Sequence, residues 1–459
     1  MTTPAGALAS ALASALVCAG CGASPARDDP HPFRCPNAGA NDDTDHVLRR
    51  RLDASAAEFP AAGDDAATSP YLRYRRLFHA YHLARAGGVE DEEYCALVAR
   101  LDGEVAKVDG RGFVASPFAR ADALSEQLGF APDGGIWVKD ETGNVSGSHK
   151  ARHLFGLLVH LEVLERLGLA DPAHRPNLAI ASCGNAALAA AVVAAAGRRV
   201  LDVFVPVDAD PAVVGRLKAL DARVTVCPRE PGVPGDPTYH RLVRAVNAGA
   251  LPFTCQGNEN GIAVEGGFTL GYEMAAALAN GPTLDRLVVQ VGGGALASAC
   301  IESIDDCVAM RVLPRAPRLH AVQTEGAWPL RRAFDRVAAR LPADATPEDV
   351  REALSYAATH RSEFMWPWEE EPHSVAHGIL DDETYDWLAV VEGMLHSGGS
   401  PVVVGEDLLV HANELAVSAT GIDVDPTGSS GLAGLLALRD HGEIGDHERV
   451  AVLFTGVRR

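Results

Sequence analysis

Four short turns of small and hydroxyl residues carry the chemistry this sequence offers. The first, "GNVSGSHKARHL", sets Lys150 where a small-residue turn gives way to an apolar helical pattern. A cation at a helix start opposes the helix dipole, and an enclosed amine is favoured in the neutral form that bonds to an aldehyde. The second, "ASCGNAALAAA", offers Ser182, Cys183, Gly184 and Asn185 at a helix start suited to a carboxylate or a phenolic oxygen. The third, "VVQVGGGALASAC", exposes the amides of Gly292, Gly293 and Gly294 ahead of Ala295, an anion cradle. Its glycines lack the dinucleotide spacing and no P-loop lysine follows, so the phosphate it suits need not belong to a nucleotide. The fourth, "VAVLFTGVRR", places the Thr455 hydroxyl after a buried strand, where it can serve a ring nitrogen.

Taken singly, each turn is also compatible with a surface lysine, a helix cap, tight packing or a strand cap. What joins them is the element pattern. From about residue 136 the chain alternates strand, turn and helix: "IWVKD", "NLAIASCGN", "VLDVFVPV", "RVTVCP", "LPFTCQ", "RLVVQVGGG", "RLHAVQTEG" and "RVAVLFTG" read as strands with helical segments between them, the first helix spanning 151–167. The pattern predicts an α/β protein with largely parallel sheets, whose turns gather at the carboxyl ends of the strands, where ligands bind. An aldehyde-binding lysine, a phosphate cradle, an oxygen ligand and a hydroxyl for a ring nitrogen are together the attachment points that pyridoxal phosphate requires.

On these residues the chain resembles the fold type II pyridoxal-phosphate enzymes, the tryptophan synthase β chain-like group that includes threonine synthase and the threonine and serine dehydratases. "VKDETGNVSGSHKAR" is similar to their lysine motif, "ASCGNAALAAA" to their substrate loop, "VGGGAL" to their phosphate loop, and "DPTGSSGLAGL" with "VLFTG" to their closing segments. The resemblance implies two open, twisted, largely parallel sheet domains flanked by helices, with the cofactor in the cleft between them. It further implies an N-terminal extension over 1–105, a large cofactor-binding domain over 106–174 and 279–459, and a small mobile substrate domain over 175–278. By the same resemblance Lys150 forms the imine with the cofactor, and Gly292, Gly293, Gly294 and Ala295 hold its phosphate. Asn185 meets its phenolic oxygen and Thr455 its ring nitrogen, while Ser182, Cys183 and Gly184 meet the substrate carboxylate, with Asn185 and His149 also beside the substrate. A homodimer is expected on the same ground.

Departures from the family pattern bear on the reaction. His149 stands where threonine synthases and dehydratases usually have Phe, and Ala151-Arg152 follows the lysine where threonine synthases commonly have Asp-Arg. A hydroxyl at the ring nitrogen suits loss of a β leaving group over transamination. The leading expectation is therefore an amino-acid lyase acting on a hydroxy or otherwise activated amino acid through an external aldimine, like a serine or threonine ammonia-lyase. A threonine synthase-like conversion of O-phosphohomoserine, or a β-replacement synthase, is the alternative; a noncatalytic cofactor-binding or regulatory protein is an alternative of another class. Phosphohomoserine would need a second anion site, for which Lys139, Arg152, His149 and His153 are candidates. The segment between Phe364 and Val404 is longer than the usual connection, and its Trp366, Trp368 and His373 either cover the site or anchor the segment to the core.

The remaining composition sets limits. The 459 residues carry a net charge of -21 with no basic stripe, which argues against a nucleic-acid partner. The apolar stretch "MTTPAGALASALASALVCAGCG" has no Lys or Arg before Arg27, so it does not read as an export signal, and other apolar runs are too short or interrupted for a membrane span. Nine scattered cysteines suit a reducing cytoplasm. Cys18, Cys21 and Cys35 have the outline of a zinc knuckle, but position 38 is Ala38 and the fourth ligand has only a distant candidate, His46. Residues 24–72 read as a loose extension leading to one helix, "YLRYRRLFHAYHLA", with Tyr71, Tyr74, Leu77, Phe78 and Tyr81 on its packing face.

Overall fold

The computed structural model describes residues 12–39, 42–61, 69–229, 235–279 and 281–459, so the first half of the apolar leader-like stretch, residues 1–11, lies outside the described residues. Strands β1 (Ser14–Cys18) and β2 (Leu48–Leu52) pair antiparallel, with Cys18 opposite Leu48. The sequence reading missed β2 because "LRRRL" looks like a solvated charge run. Two of its three arginines are in fact buried and paired: Arg49 Nε donates to Glu302 (2.8 Å) and Nη1 to Glu392 (2.5 Å), while Arg50 Nη2 donates to Asp306 (2.5 Å) and Tyr272 Oη (2.9 Å). The expected helix after it is broken. Pro70–Arg73, a 3-10 turn Arg75–Leu77 and His79–Ala86 replace one span, because Phe78 is extended (φ -96°, ψ 140°) and the His79 N–H donates to the Glu265 carboxylate (2.6 Å).

Strands β3 (Phe118–Arg120) and β4 (Gly135–Asp140) begin the main sheet. The chain then leaves it to build a second sheet from β5 (Leu178–Ala181), β6 (Leu201–Val205), β7 (Arg223–Val226) and β8 (Leu251–Pro252). It returns with β9 (Arg286–Gln290), β10 (Arg318–Thr324), β11 (Ser400–Val404) and β12 (Arg449–Phe454). The main sheet runs β11-β10-β9-β12-β4-β3, parallel except for β3 against β4, and the second runs β7-β6-β5-β8, all parallel. This is the twisted α/β architecture of two largely parallel sheets that the alternating pattern predicts.

The consequence for function lies in the middle of the main sheet. Strands β9, β12 and β4 are adjacent and parallel, so their carboxyl ends, which carry the glycine turn, Thr455 and the lysine turn, open on the same side. β9 and β12 are almost continuously buried runs, and β4 is buried at four of its six residues, which is what a sheet covered on both faces demands.

Candidate active site

Lys150 is the first residue of the helix Lys150–Arg166 and is half-buried. The turn ahead of it is clipped to the last strand: the His149 N–H and His149 Nδ1 both donate to the Thr455 carbonyl, at 3.1 and 3.2 Å, and Ser148 bridges Gly456. That bond fixes the imidazole with its proton on Nδ1. Nε2 is buried without a partner, and burial, reinforced by the charge of Lys150, holds the His149 pKa well below the usual histidine range. His149 is thus a neutral ring beside the lysine, whereas His153 bonds the Ala263 carbonyl on the far side (2.9 Å).

Thr455 is 2% exposed and its Oγ1 accepts a hydrogen bond from Gln290 Nε2 at 2.8 Å. Since the amide supplies that proton, the threonine's own proton stays free for an acceptor such as an unprotonated ring nitrogen. Gln290 also donates to the Gly428 and Leu453 carbonyls, so one side chain ties the "DPTGSSG" helix start to the end of β12. Asn185, first residue of the helix Asn185–Ala196, lies against Gly456, where a Cβ would meet its Nδ2 at 2.6 Å, and donates to Asp425. The fold therefore brings Asn185, Thr455 and the lysine turn together from three separate parts of the chain. Ser182, Cys183 and Gly184 follow β5 on the facing sheet, half-buried, with the Gly184 N–H directed at Ser182 Oγ (3.4 Å).

The glycine turn precedes the helix Ala295–Ala309, and Gly294 has φ +101°, which side-chain-bearing residues rarely adopt. A Cβ at Gly292 would collide with the Asp381 carboxylate, and one at Gly293 would press on the Tyr385 ring. Asp381 thus sets a carboxylate of the protein's own against the bare face of Gly292, with the charge of Lys150 acting on it. Neither Asp381 nor Gln290 was legible as a site residue. Gln290 sits inside a strand, and Asp381 belongs to the long 364–404 connection, where the sequence drew attention to its aromatics instead. Those aromatics anchor the segment: Trp366 lies 3.7 Å under the Arg332 guanidinium, Trp368 packs edge-on to Trp328 (5.0 Å), and the His373 backbone abuts Gly326.

Lys139 and Arg152 are fully buried and paired. Arg152 Nε and Nη2 form a fork to both oxygens of Glu141 (2.7 and 2.9 Å), Nη1 donates to Glu273 (2.7 Å) and Thr269 (2.9 Å), and Lys139 Nζ pairs with Glu273 and donates to the Ser116 carbonyl (2.8 Å). Burial alone would raise the Glu273 carboxyl, but Arg152 and Lys139 outweigh it and hold it below its ordinary value. Two of the sequence's candidate cations for a second anion site are thus neutralised inside the protein.

At the N-terminal end, the donor atoms of Cys18, Cys21, Cys35 and His46 all lie within 4.8 Å of one another. Strand register explains how the distant histidine joins them: β1 and β2 pair Cys18 with Leu48, two residues beyond His46, and Cys18 Sγ comes 3.4 Å from His46 Nδ1. Asp42 holds the other ring nitrogen (2.7 Å), the carboxylate–histidine support usual behind a metal ligand. Three thiols and an imidazole at this spacing fit tetrahedral zinc. The knuckle rests on the main body through the Gly261 N–H to the Phe33 carbonyl (3.1 Å) and the Arg34–Glu259 ion pair.

A family model described as pyridoxal-phosphate dependent enzyme matches residues 111–456. The chain is 25% identical over 359 residues to a threonine synthase of Methanosarcina acetivorans, covering 74% of each chain. It is 23% identical over 363 residues to a threonine synthase of Methanocaldococcus jannaschii, again over 74% of each. Among solved structures it resembles threonine deaminase isoform 2 of Solanum lycopersicum (TM-score 0.55, 16% identity, 81% of this chain and 91% of that one). It likewise resembles diaminopropionate ammonia lyase of Escherichia coli (TM-score 0.57, 15% identity, 80% and 89%). These structural likenesses speak for the fold, while the family match spans the lysine turn, the substrate loop, the glycine turn and Thr455 alike; the chain belongs to the pyridoxal-phosphate dependent enzyme family, with the fold type II architecture.

Proposed function

We propose that this enzyme is an amino-acid lyase that expels the side-chain leaving group of a hydroxy amino acid such as serine or threonine. The observation that carries the reading is the neutralisation of Lys139 and Arg152 by Glu141 and Glu273, which removes them as a pocket for a second phosphate. The bound cofactor supplies an electron sink that makes the substrate's Cα proton acidic. Lys150 Nζ takes that proton, positioned by the clip between His149 and Thr455. Thr455 Oγ1, with Gln290 as its donor, offers a hydroxyl proton to the ring nitrogen, a weaker partner than a carboxylate and one that suits elimination. Asn185 meets the phenolic oxygen, Ser182 to Gly184 meet the substrate carboxylate, and Gly292 to Ala295 take the phosphate. Neutral His149 lines the substrate side, where its free Nε2 can take a hydrogen bond from a side-chain hydroxyl.

Several further roles complete this reading. The sheet β7-β6-β5-β8 with its helices, residues 175–278, moves as a small substrate domain over the larger one, residues 106–174 and 279–459. Cys18, Cys21, Cys35 and His46 hold structural zinc in the extension 1–105. The enzyme works as a cytoplasmic homodimer; no described helix is long and apolar enough to cross a membrane.

A second reading, threonine synthase-like conversion of O-phosphohomoserine, is favoured by the likeness to curated threonine synthases over 74% of the chain. The two separate cleanly when the purified holoenzyme is given L-serine, L-threonine and O-phosphohomoserine in turn. Ammonia and a 2-oxo acid from serine or threonine are expected; phosphate release with threonine as product would overturn the lyase reading.

A further inference from the structure

The segment from Ile379 to Asp386 lies across the glycine turn and is bonded to it at several points. Thr384 Oγ1 donates to the Gly292 carbonyl (2.9 Å), and the Asp386 N–H donates to the Gly293 carbonyl (3.0 Å). The Tyr385 ring packs against Gly293 and stacks 6.0 Å from Tyr239, in the helix Pro237–Asn247 beside the second sheet. At the centre is Asp381, whose carboxylate crowds the face of Gly292 and lies beside Gly293, under the field of Lys150.

We propose that Asp381 is an internal occupant of the anion cradle, which the cofactor's phosphate must displace, so that the 379–386 segment is the gate through which the cofactor is loaded. The inference rests on reading Gly292 to Ala295 as the phosphate cradle. Its physical basis is exclusion: the space against Gly292 cannot hold the Asp381 carboxylate and a phosphate together, and two anions in one turn repel. Any ligand that binds only the vacated cradle pays for moving Asp381 out, which lowers its apparent affinity. The surroundings favour a carboxylate that gives way. Asp382 and Asp236 add negative charge beside it, Lys150 is the opposing cation, and desolvation pushes the Asp381 carboxyl up to about 6. Backbone hydrogen bonds, the Thr384 hydroxyl, ring packing and the Arg361–Glu383 ion pair hold the segment, the ion pair two residues from Asp381.

The test compares apoprotein of the wild type, Asp381→Asn and Asp381→Ala for affinity to pyridoxal phosphate, to pyridoxal and to inorganic phosphate, by fluorescence quenching and calorimetry. The neutral variants should bind pyridoxal phosphate and inorganic phosphate about tenfold more tightly, as expected for removing a competing charge, with pyridoxal little changed. Equal affinities in all three proteins would overturn the proposal while leaving the cradle intact. A gain as large for pyridoxal as for its phosphate would also overturn it, since the effect would then act through Lys150 and not the cradle. If wild type and variants bind pyridoxal phosphate no better than pyridoxal, the cradle reading itself fails and the gate with it. Hydrogen exchange on the unaltered protein gives a readout that needs no variant: amides of 379–386 should lose protection when pyridoxal phosphate is added, and unchanged or increased protection would contradict the gate.

Discussion

Around Arg152 and around Asp386 the protein buries carboxylates in two opposite ways. Glu141 and Glu273 face Arg152 and Lys139 at hydrogen-bond distance, every charge answered by another. Asp386 is 2% exposed, its Oδ2 has no hydrogen-bond partner, and burial, with the charges of Glu302 and Asp45 adding to it, pushes its carboxyl up to about 8. The first region is built on the lysine helix itself, through Arg152, and is fixed, because breaking one pair weakens the rest. The second lies over the glycine turn with Asp381 and keeps its acids near neutrality. A rigid network on the lysine helix and an adjustable cover over the glycine turn suit the roles proposed for Lys150 and for Gly292 to Ala295.

The contrast can be broken most forcefully at Arg152. Arg152→Met leaves buried Glu141 without its cation and Glu273 with Lys139 alone, and should cost about 3–5 kcal/mol, read from the urea midpoint; a loss under about 1 kcal/mol would show that the network is not the fixed element. A smaller and more local effect is expected from metal removal. Asp45, next to the ligand His46, accepts from Trp387 Nε1 (3.2 Å) and pairs with Arg361 (3.3 Å), so the knuckle is joined to the start of the helix Trp387–Ser397 beside Asp386. The protein should carry one zinc per chain, and chelation should raise hydrogen exchange around Trp387 while sparing the Arg152 region. The smallest effect at neutral pH belongs to Asp386→Asn, within about 0.5 kcal/mol, because the native carboxyl already holds its proton there. Its signature is in the pH profile. The folded group keeps its proton up to about pH 8 while the unfolded one releases it in the ordinary carboxyl range, so the folded state binds more protons in that window and stability falls as pH rises through it. The asparagine variant should lack that decline between the ordinary carboxyl range and about pH 8, and an unaltered profile would mean that Asp386 is ionised when folded.

The fold's centre was legible because its signals are local. Buried runs such as "RLVVQ" and "RVAVLF", each ending in small residues, announce parallel strands with open turns, and the turns themselves named the lysine, the glycine cradle and Thr455. What escaped notice depends on pairing across long separations. Arg49 and Arg50 are strand residues only because Glu302, Glu392 and Asp306, some 250 or more residues away, neutralise them. His46 joins Cys18, Cys21 and Cys35 through the register of β1 on β2, and Gln290 acquires its partner only when Thr455 arrives beside it. Asp381 shows the limit most plainly, since no spacing rule connects an aspartate in an irregular segment to a glycine turn far behind it.

Trapping the lysine tests the central claim most directly. The protein saturated with pyridoxal phosphate is reduced with borohydride, digested and mapped by mass spectrometry, with Lys150→Ala alongside. The account predicts a single pyridoxyl-modified peptide containing Lys150, absent from the variant together with the visible absorbance of the bound cofactor. A modification on another lysine, or none in a protein that remains folded, would contradict it.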